Sequence, residues 1–226
     1  MTSRIIVRNT EEADFAAIGA LTERVYPGVP PWAPIQLSSH RRIFPEGQFV
    51  AVDPDTGGIV GMAASLIVWW EDYDDHGSWR DFTDAGMFTN HDPFRGRTLY
   101  GAEVMVDPNR QGQGIGSIIY EARATLAERL GLLRIRAGAR LRGYHRHADT
   151  LTAEQYVTEV VNGRIGDATL TFQLRRGFEV IAVVHDYLKH DPESLGKAAV
   201  IEWINLRVAT AEELAARPAR YRARIR

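Results

Sequence analysis

The chain has 226 residues and a formal charge of −2, enough length to bury one sizeable core and too balanced a charge for a generally basic nucleic-acid binder. Its 45% apolar and 25% charged content is that of an ordinary globular protein and not of a disordered or fibrous one. It contains no cysteine, which excludes disulfides, thiolate nucleophiles and Cys-ligated zinc. The N-terminal stretch MTSRIIVRNTEEAD carries charges where a signal peptide needs an apolar run. No later segment reaches the roughly 18 apolar residues of a membrane span. The expectation is a cytoplasmic protein of one domain, residues 1–226, with a core over about 3–206, that engages neither nucleic acid nor membrane. The four arginines within Arg220–Arg226 read as a solvated helix end.

In chain order, Ile5 to Arg8 is a short β-rich run, followed by a helix with apolar residues at Phe15, Ile18, Leu21 and Val25. The Pro-rich stretch Tyr26 to Pro34 cannot continue that helix, and a second short one is expected around Ile35 to Arg42. Gln48 to Val52 and Ile59 to Trp70 flank the turn signal Asp53 to Gly58 and predict a hairpin. Glu71 to Arg97 is rich in Asp, Gly, Trp and His without a sustained period. A loop of that length is usually functional or mobile, so it reads as a substrate lid in which Trp79, Phe82, Phe88 and His91 either wall an acceptor site or pack the loop down. Trp69 and Trp70 at the hairpin end read as core or interface.

A strand at Leu99 to Val106, a helix at Ile115 to Leu130 and a strand at Leu132 to Ala139 then form a β-loop-α-β unit, which places two neighbouring parallel strands with the helix packed across them. After the polar segment Arg140 to Thr150 come helices at Thr152 to Asn162 and Asp167 to Arg176, the latter ended by Gly177. Strands at Phe178 to Val184 and Ala198 to Ile204 and a final helix from Ala211 to the C-terminus complete the pattern.

The chemistry is carried by VMVDPNRQGQGIGSIIYEARATLAERLG, residues 104–131. Glycines 112, 114 and 116 between a strand and a helix let a phosphate approach the backbone, and the helix N-terminus adds unpaired amides and partial positive charge. A Walker loop is excluded because the stretch has no lysine. A dinucleotide fingerprint would need glycine where Ser117 stands.

These residues resemble the GNAT N-acetyltransferases, whose signature Q/R-x-x-G-x-G/A opens a helix after a strand. The match is Gln111, Gly112, Gln113, Gly114, Ile115 and Gly116, preceded by the family's frequent V-x-P as Val106, Asp107 and Pro108. The resemblance implies a mixed, twisted α/β sheet splayed between its two central parallel strands, with helices on both faces. It implies acetyl-CoA as acyl donor, no metal, and an amine acceptor, here expected to be a small molecule. The backbone of Val104, Met105 and Val106 would pair with the pantetheine arm, and the amides from Gln111 to Ser117 would hold the pyrophosphate. Flanking segments RVYPG (24–28), FPEGQFVA (44–51), LYGAEVMVDP (99–108), GYHRHAD (143–149), LTFQLRRGF (170–178) and HDPES (190–194) resemble more closely the GNAT domain that precedes a nitrilase-like amidase domain in some bacterial bifunctional proteins. No amidase domain is expected within these residues.

The family pattern also breaks. Where many members place a proton-donating tyrosine, four residues before the glycine of a late Gly-Phe, this chain has Gln173, a cofactor-site candidate whose amide can still donate a hydrogen bond, the departing thiolate being reachable through water. An asparagine common seven residues upstream is replaced by Gly166. Tyr144 and His145 follow the C-terminal end of a parallel strand, where open α/β sheets place ligands, and are the substitutes for acid or base; the alternative is a solvated loop. Glu103, with apolar neighbours, is the other candidate base, or else a structural carboxylate paired to an arginine. His145, His147 and Asp149 have a spacing compatible with a metal, but nothing fixes their geometry. The rival to an enzyme is a non-catalytic acyl-CoA binding or regulatory module. Exposed strand edges near the C-terminal end suggest a homodimer.

Overall fold

In the computed structural model, residues 4–74, 76–217 and 221 are described. Seven strands form a single mixed sheet in the order β1-β2-β3-β4-β5-β7-β6: β1 (Ile6–Asn9), β2 (Phe49–Val52), β3 (Ile59–Val68), β4 (Thr98–Val106), β5 (Arg134–Arg140), β6 (Glu179–Val184) and β7 (Ala198–Ile204). All neighbouring pairs are antiparallel except β4 with β5. β3 is buried along its whole length, as its unbroken apolar run IVGMAASLIV requires of a strand covered on both faces.

Helices α1 (Phe15–Val25), α2 (Pro34–Ile43) and α3 (Trp79–Thr83) cover one face. The longer α4 (Ile115–Arg129), with α5 (Ala153–Val161) and α6 (Leu170–Leu174), covers the other. Local chemistry sets their ends. Pro34 is the first residue of α2, where a missing N–H costs nothing. Thr152 and Ser78 cap α5 and α3 by accepting from Gln155 and Asp81 amides. A short α7 (Ala211–Ala215) carries the chain on from the sheet and gives way to a turn and a bend at Ala216 and Arg217, where the sequence reading continued the helix; of its remaining residues, 218–220 and 222–226, with the four arginines of Arg220–Arg226, lie outside the described residues.

Two departures from the sequence reading have physical causes. α6 is shorter than Asp167–Arg176 because the buried Asp167 stays outside it. Its carboxylate accepts from the amides of Gly143, Thr169 and Leu170 and from the Tyr156 hydroxyl, all at 2.9 Å. The 71–97 stretch is not an open loop. Phe82 stacks between Trp70 and Tyr100 at 4.9 and 4.8 Å, and Phe88 is wholly buried. The Trp79 indole donates to the Ala102 carbonyl at 2.9 Å, and the Ile67 amide donates to His91 Nδ1 at 3.0 Å. These aromatic residues therefore pack the segment onto the sheet.

His40, on α2, is buried beneath it. Its ring stacks on Phe88 at 3.7 Å and Nε2 donates to the Gly86 carbonyl at 2.6 Å, while Nδ1 has no partner among the described residues. Burial pushes its pKa down to about 4.

Candidate active site

The parallel pair at the centre is joined only at Thr98, Leu99 and Tyr100, against Arg134, Ile135 and Arg136. Beyond those three residues the strands diverge. β5 continues paired to β7 as far as Arg140, and β4 continues paired to β3 as far as Val106. The sheet is thus split, with one wall formed by Gly101–Val106 and the other by Ala137–Arg140.

At the end of β4 the chain turns through Asp107, whose carboxylate accepts from the Asn109 amide at 3.0 Å, into the glycine loop. Gly112 and Gly114 have φ of +77° and +82°, and a Cβ at either would meet nothing within 4 Å. The space above the loop is open, and its left-handed turns suit glycine best. α4 begins at Ile115 with Gly114 as an N-cap that has no side chain to offer. Among the described residues, no acceptor faces the backbone amides from Gly112 to Ser117. Six such amides at a helix N-terminus can cradle an anion. At its rim, Arg176 donates to the Ser117 hydroxyl, and Arg110 bonds Gln113 at 2.9 Å and Asp53 at 2.6 Å.

Glu103 stands on the β4 wall beside a bulge, where the pairing with β3 slips between Ala64 and Ser65. Its Oε1 accepts from the Tyr26 hydroxyl and from the Val104 amide, both at 3.0 Å. Burial raises its pKa, and the Tyr26 and Val104 donors together with the Arg140 and Arg123 charges oppose the rise. Among the described residues it forms no ion pair. A carboxylate held by one phenol and one amide, and part-exposed in a cleft, can accept a proton.

Two buried arginines flank it. Arg123, on α4, is 1% exposed and fills the bulge, donating to Ser65 Oγ at 3.0 Å and to the carbonyls of Ala64 and Glu103 at 3.1 and 2.7 Å. Gly101 is required opposite it, since a Cβ there would come within 2.8 Å of the guanidinium. Arg140, at the end of β5, sits 5.4 Å from the Tyr26 ring centre. It forms two 2.7 Å bonds to Asp191, pinning the segment between β6 and β7 over the opening. From that segment Tyr187 lies on Gly138 and shares a 2.6 Å hydrogen bond with Tyr100.

The other predicted residues are not gathered with Glu103. Tyr144 is in the apolar core with α5 and donates to the Leu151 carbonyl at 3.2 Å. His145 is exposed, its Nδ1 within 2.8 Å of the Glu193 carbonyl and 3.1 Å of that of Arg142. Gln173 does not extend freely toward the opening, because its Nε2 donates to the Tyr120 hydroxyl at 2.7 Å. Of the pantetheine-pairing candidates Val104, Met105 and Val106, Met105 buries its side chain on the α1 face, and the Val104 amide is engaged by Glu103. No group of three potential metal ligands occurs among the described residues. Tyr26, Arg140 and Asp191 were missed because they meet only in three dimensions. Arg123 did leave a signal, falling on the apolar stripe between Ile119 and Leu126.

Comparison with known proteins adds to this geometry. Residues 15–148 match the model of the acetyltransferase (GNAT) family. The chain is 37% identical over 207 residues to the uncharacterized N-acetyltransferase YkwB of Bacillus subtilis, covering 89% of each chain. It is 41% identical over 203 residues to the probable hydrolase YhcX of the same organism, covering 90% of this chain but 39% of that protein's length. Among solved structures, the GNAT-like decarboxylase GphF, in complex with isobutyryl-CoA, superposes with a TM-score of 0.72 at 23% identity, covering 88% of this chain and 98% of that one. The loading GNATL domain of CurA from Lyngbya majuscula gives 0.75 at 17% identity, with coverage of 89% and 98%. With its split sheet, its amide cradle and a family match over more than half its length, this chain belongs to the GNAT acetyltransferase family.

Proposed function

We propose that the chain is an acetyl-CoA dependent N-acyltransferase acting on the amine of a small molecule. The observation that carries this reading is the split between β4 and β5, which has Glu103 on its wall and the unpartnered amides of Gly112 to Ser117 beyond the end of β4. The amides suit a pyrophosphate, and the split leaves room for an extended arm between the strands. GphF, which has this fold, holds isobutyryl-CoA, which supports a CoA thioester as donor.

In this reading the donor supplies an activated acyl group, and the residues of the chain handle charge and protons. The Gly112 to Ser117 amides fix the diphosphate. Glu103, its basicity raised by burial, takes a proton from the attacking amine, and Tyr26 holds the carboxylate in place. The Tyr187–Tyr100 pair and the Arg140–Asp191 clasp narrow the opposite side of the opening, which favours a small acceptor over a protein tail. The reading includes the cytoplasm as location and a homodimer. The nitrilase-fused arrangement is a proposal too, suggested by the fraction of YhcX that this chain spans, and the hydrolase name of that protein is not carried to these residues.

The test is thiol release from acetyl-CoA against a panel of amines, amino acids and peptides. Glu103→Gln is expected to lower kcat/KM by about 10²–10⁴-fold with CoA affinity unchanged. Tight CoA binding with no acceptor-dependent release across the panel would favour a binding or regulatory module instead, a reading that Gln173 in place of the usual tyrosine also supports.

A further inference from the structure

Gln173 stands where the family resemblance places a proton-donating tyrosine, and its side chain is bonded to another tyrosine. Its Nε2 donates to the Tyr120 hydroxyl at 2.7 Å in a buried setting. Its Oε1 is buried without a partner among the described residues, a state that costs roughly 1–3 kcal/mol in ordinary cores. The amide is spent on holding a phenol. That phenol accepts a hydrogen bond but has no acceptor for its own proton among the described residues.

The Tyr120 ring is fixed edge-on by Phe172 and Phe178 at 5.3 and 5.7 Å. The Arg123 guanidinium lies 5.7 Å from the ring centre, and the same guanidinium binds the Glu103 carbonyl on the wall of the split. Tyr120 follows the first residue of α4 by five positions, hence about 7.5 Å along the helix axis from the anion cradle at 1.5 Å per residue. One guanidinium thus joins the Tyr120 ring on α4 to the Glu103 backbone on the β4 wall. Burial, with a smaller push from the Glu103 charge, moves the phenol's pKa up, while the Arg123 charge and the Gln173 donor act against the rise by favouring the phenolate.

We propose that Tyr120 donates the proton to the departing CoA sulfur and that Gln173 positions it. This rests on the acyl-transfer reading above. Glu103 takes the proton of the amine as nitrogen bonds to the acyl carbon. The carbon–sulfur bond breaks with its electron pair on sulfur, and the phenolic proton moves to that sulfur. The phenolate keeps the Gln173 hydrogen bond and the nearby Arg123 charge until water reprotonates it, and Glu103 returns its proton to solvent.

The experiment uses protein labelled with ¹³C at tyrosine Cζ, with the Tyr120 resonance identified by its loss in Tyr120→Phe. CoA and desulfo-CoA, which lacks only the sulfur, are titrated in parallel. The Tyr120 resonance is expected to move with CoA and to stay in place with desulfo-CoA, and Gln173→Leu is expected to reduce the CoA-induced shift. In turnover with acetyl-CoA, Tyr120→Phe is expected to lower kcat by about 10²-fold at unchanged KM. If both nucleotides bind and the resonance responds equally to each, or to neither, the assignment of Tyr120 is overturned while the CoA site stands. If neither nucleotide binds, the acyl-CoA reading itself is overturned.

Discussion

Two irregular stretches, 71–97 and 107–114, both largely polar and both containing glycine, behave oppositely in the fold. The first closes on itself and on the sheet: Phe82 and Phe88 are buried, Trp79 caps a bulge carbonyl and His91 accepts a strand amide. The second leaves the amides from Gly112 onward without acceptors among the described residues, and Gly112 and Gly114 with empty space above them. An irregular segment that satisfies its own polar groups is structure, whereas one that holds them open in an ordered turn is prepared for a ligand. Length and glycine content do not separate the two cases; the fate of the backbone amides does.

The largest effect is expected in the closed stretch. Phe82→Ala removes a ring stacked between Trp70 and Tyr100 and should cost about 3–5 kcal/mol in chemical denaturation. A loss under 1 kcal/mol would mean that the segment is not part of the core. Next comes the histidine beneath it. The folded protein holds His40 at about 4, whereas the unfolded chain protonates near 6.5. Stability from this group is complete above pH 6.5 and drains away as pH falls toward 4, by about 3 kcal/mol in total. The stability difference between the parent and His40→Gln should therefore shrink between pH 7 and pH 4.5, and a constant difference would show that His40 does not titrate with folding.

The open stretch gives the third test, measured on ligand and not on fold. Gly114→Val places a side chain in empty space at φ +82°, so the strain should be on the order of 1–2 kcal/mol and the protein should still fold. Calorimetric CoA affinity should fall at least about 10²-fold, through the blocked approach to the amides. Retained affinity would place the diphosphate elsewhere.

Most of the fold was legible in sequence because its signals are local. The β3 run, the Pro34 start of α2, the Thr152 cap and the Gly177 stop each act within a few residues. The cradle was legible for the same reason. Glu103 was named from its apolar neighbours, but its surroundings were not legible, since Tyr26, Arg140 and Asp191 come from just after α1, the end of β5 and the segment after β6, and no spacing links them. Tyr144 and His145 illustrate the converse: residues suited to proton transfer, close to the end of a parallel strand, whose hydroxyl and Nδ1 the fold places against the Leu151, Arg142 and Glu193 carbonyls and away from Glu103. Even Gln173, noted as a departure from the family pattern, could not show that its amide reaches a phenol 53 positions earlier.

The three-residue pairing of β4 with β5 has a consequence for the protein's behaviour in a crowded solution. Unpaired backbone on a sheet's rim invites another chain to add a strand and begin aggregation. Here two such rims lie inside the molecule and face one another, each backed by a neighbouring strand. The chain thereby keeps these two strand edges at a place that a foreign strand flanked by its own sheet cannot enter.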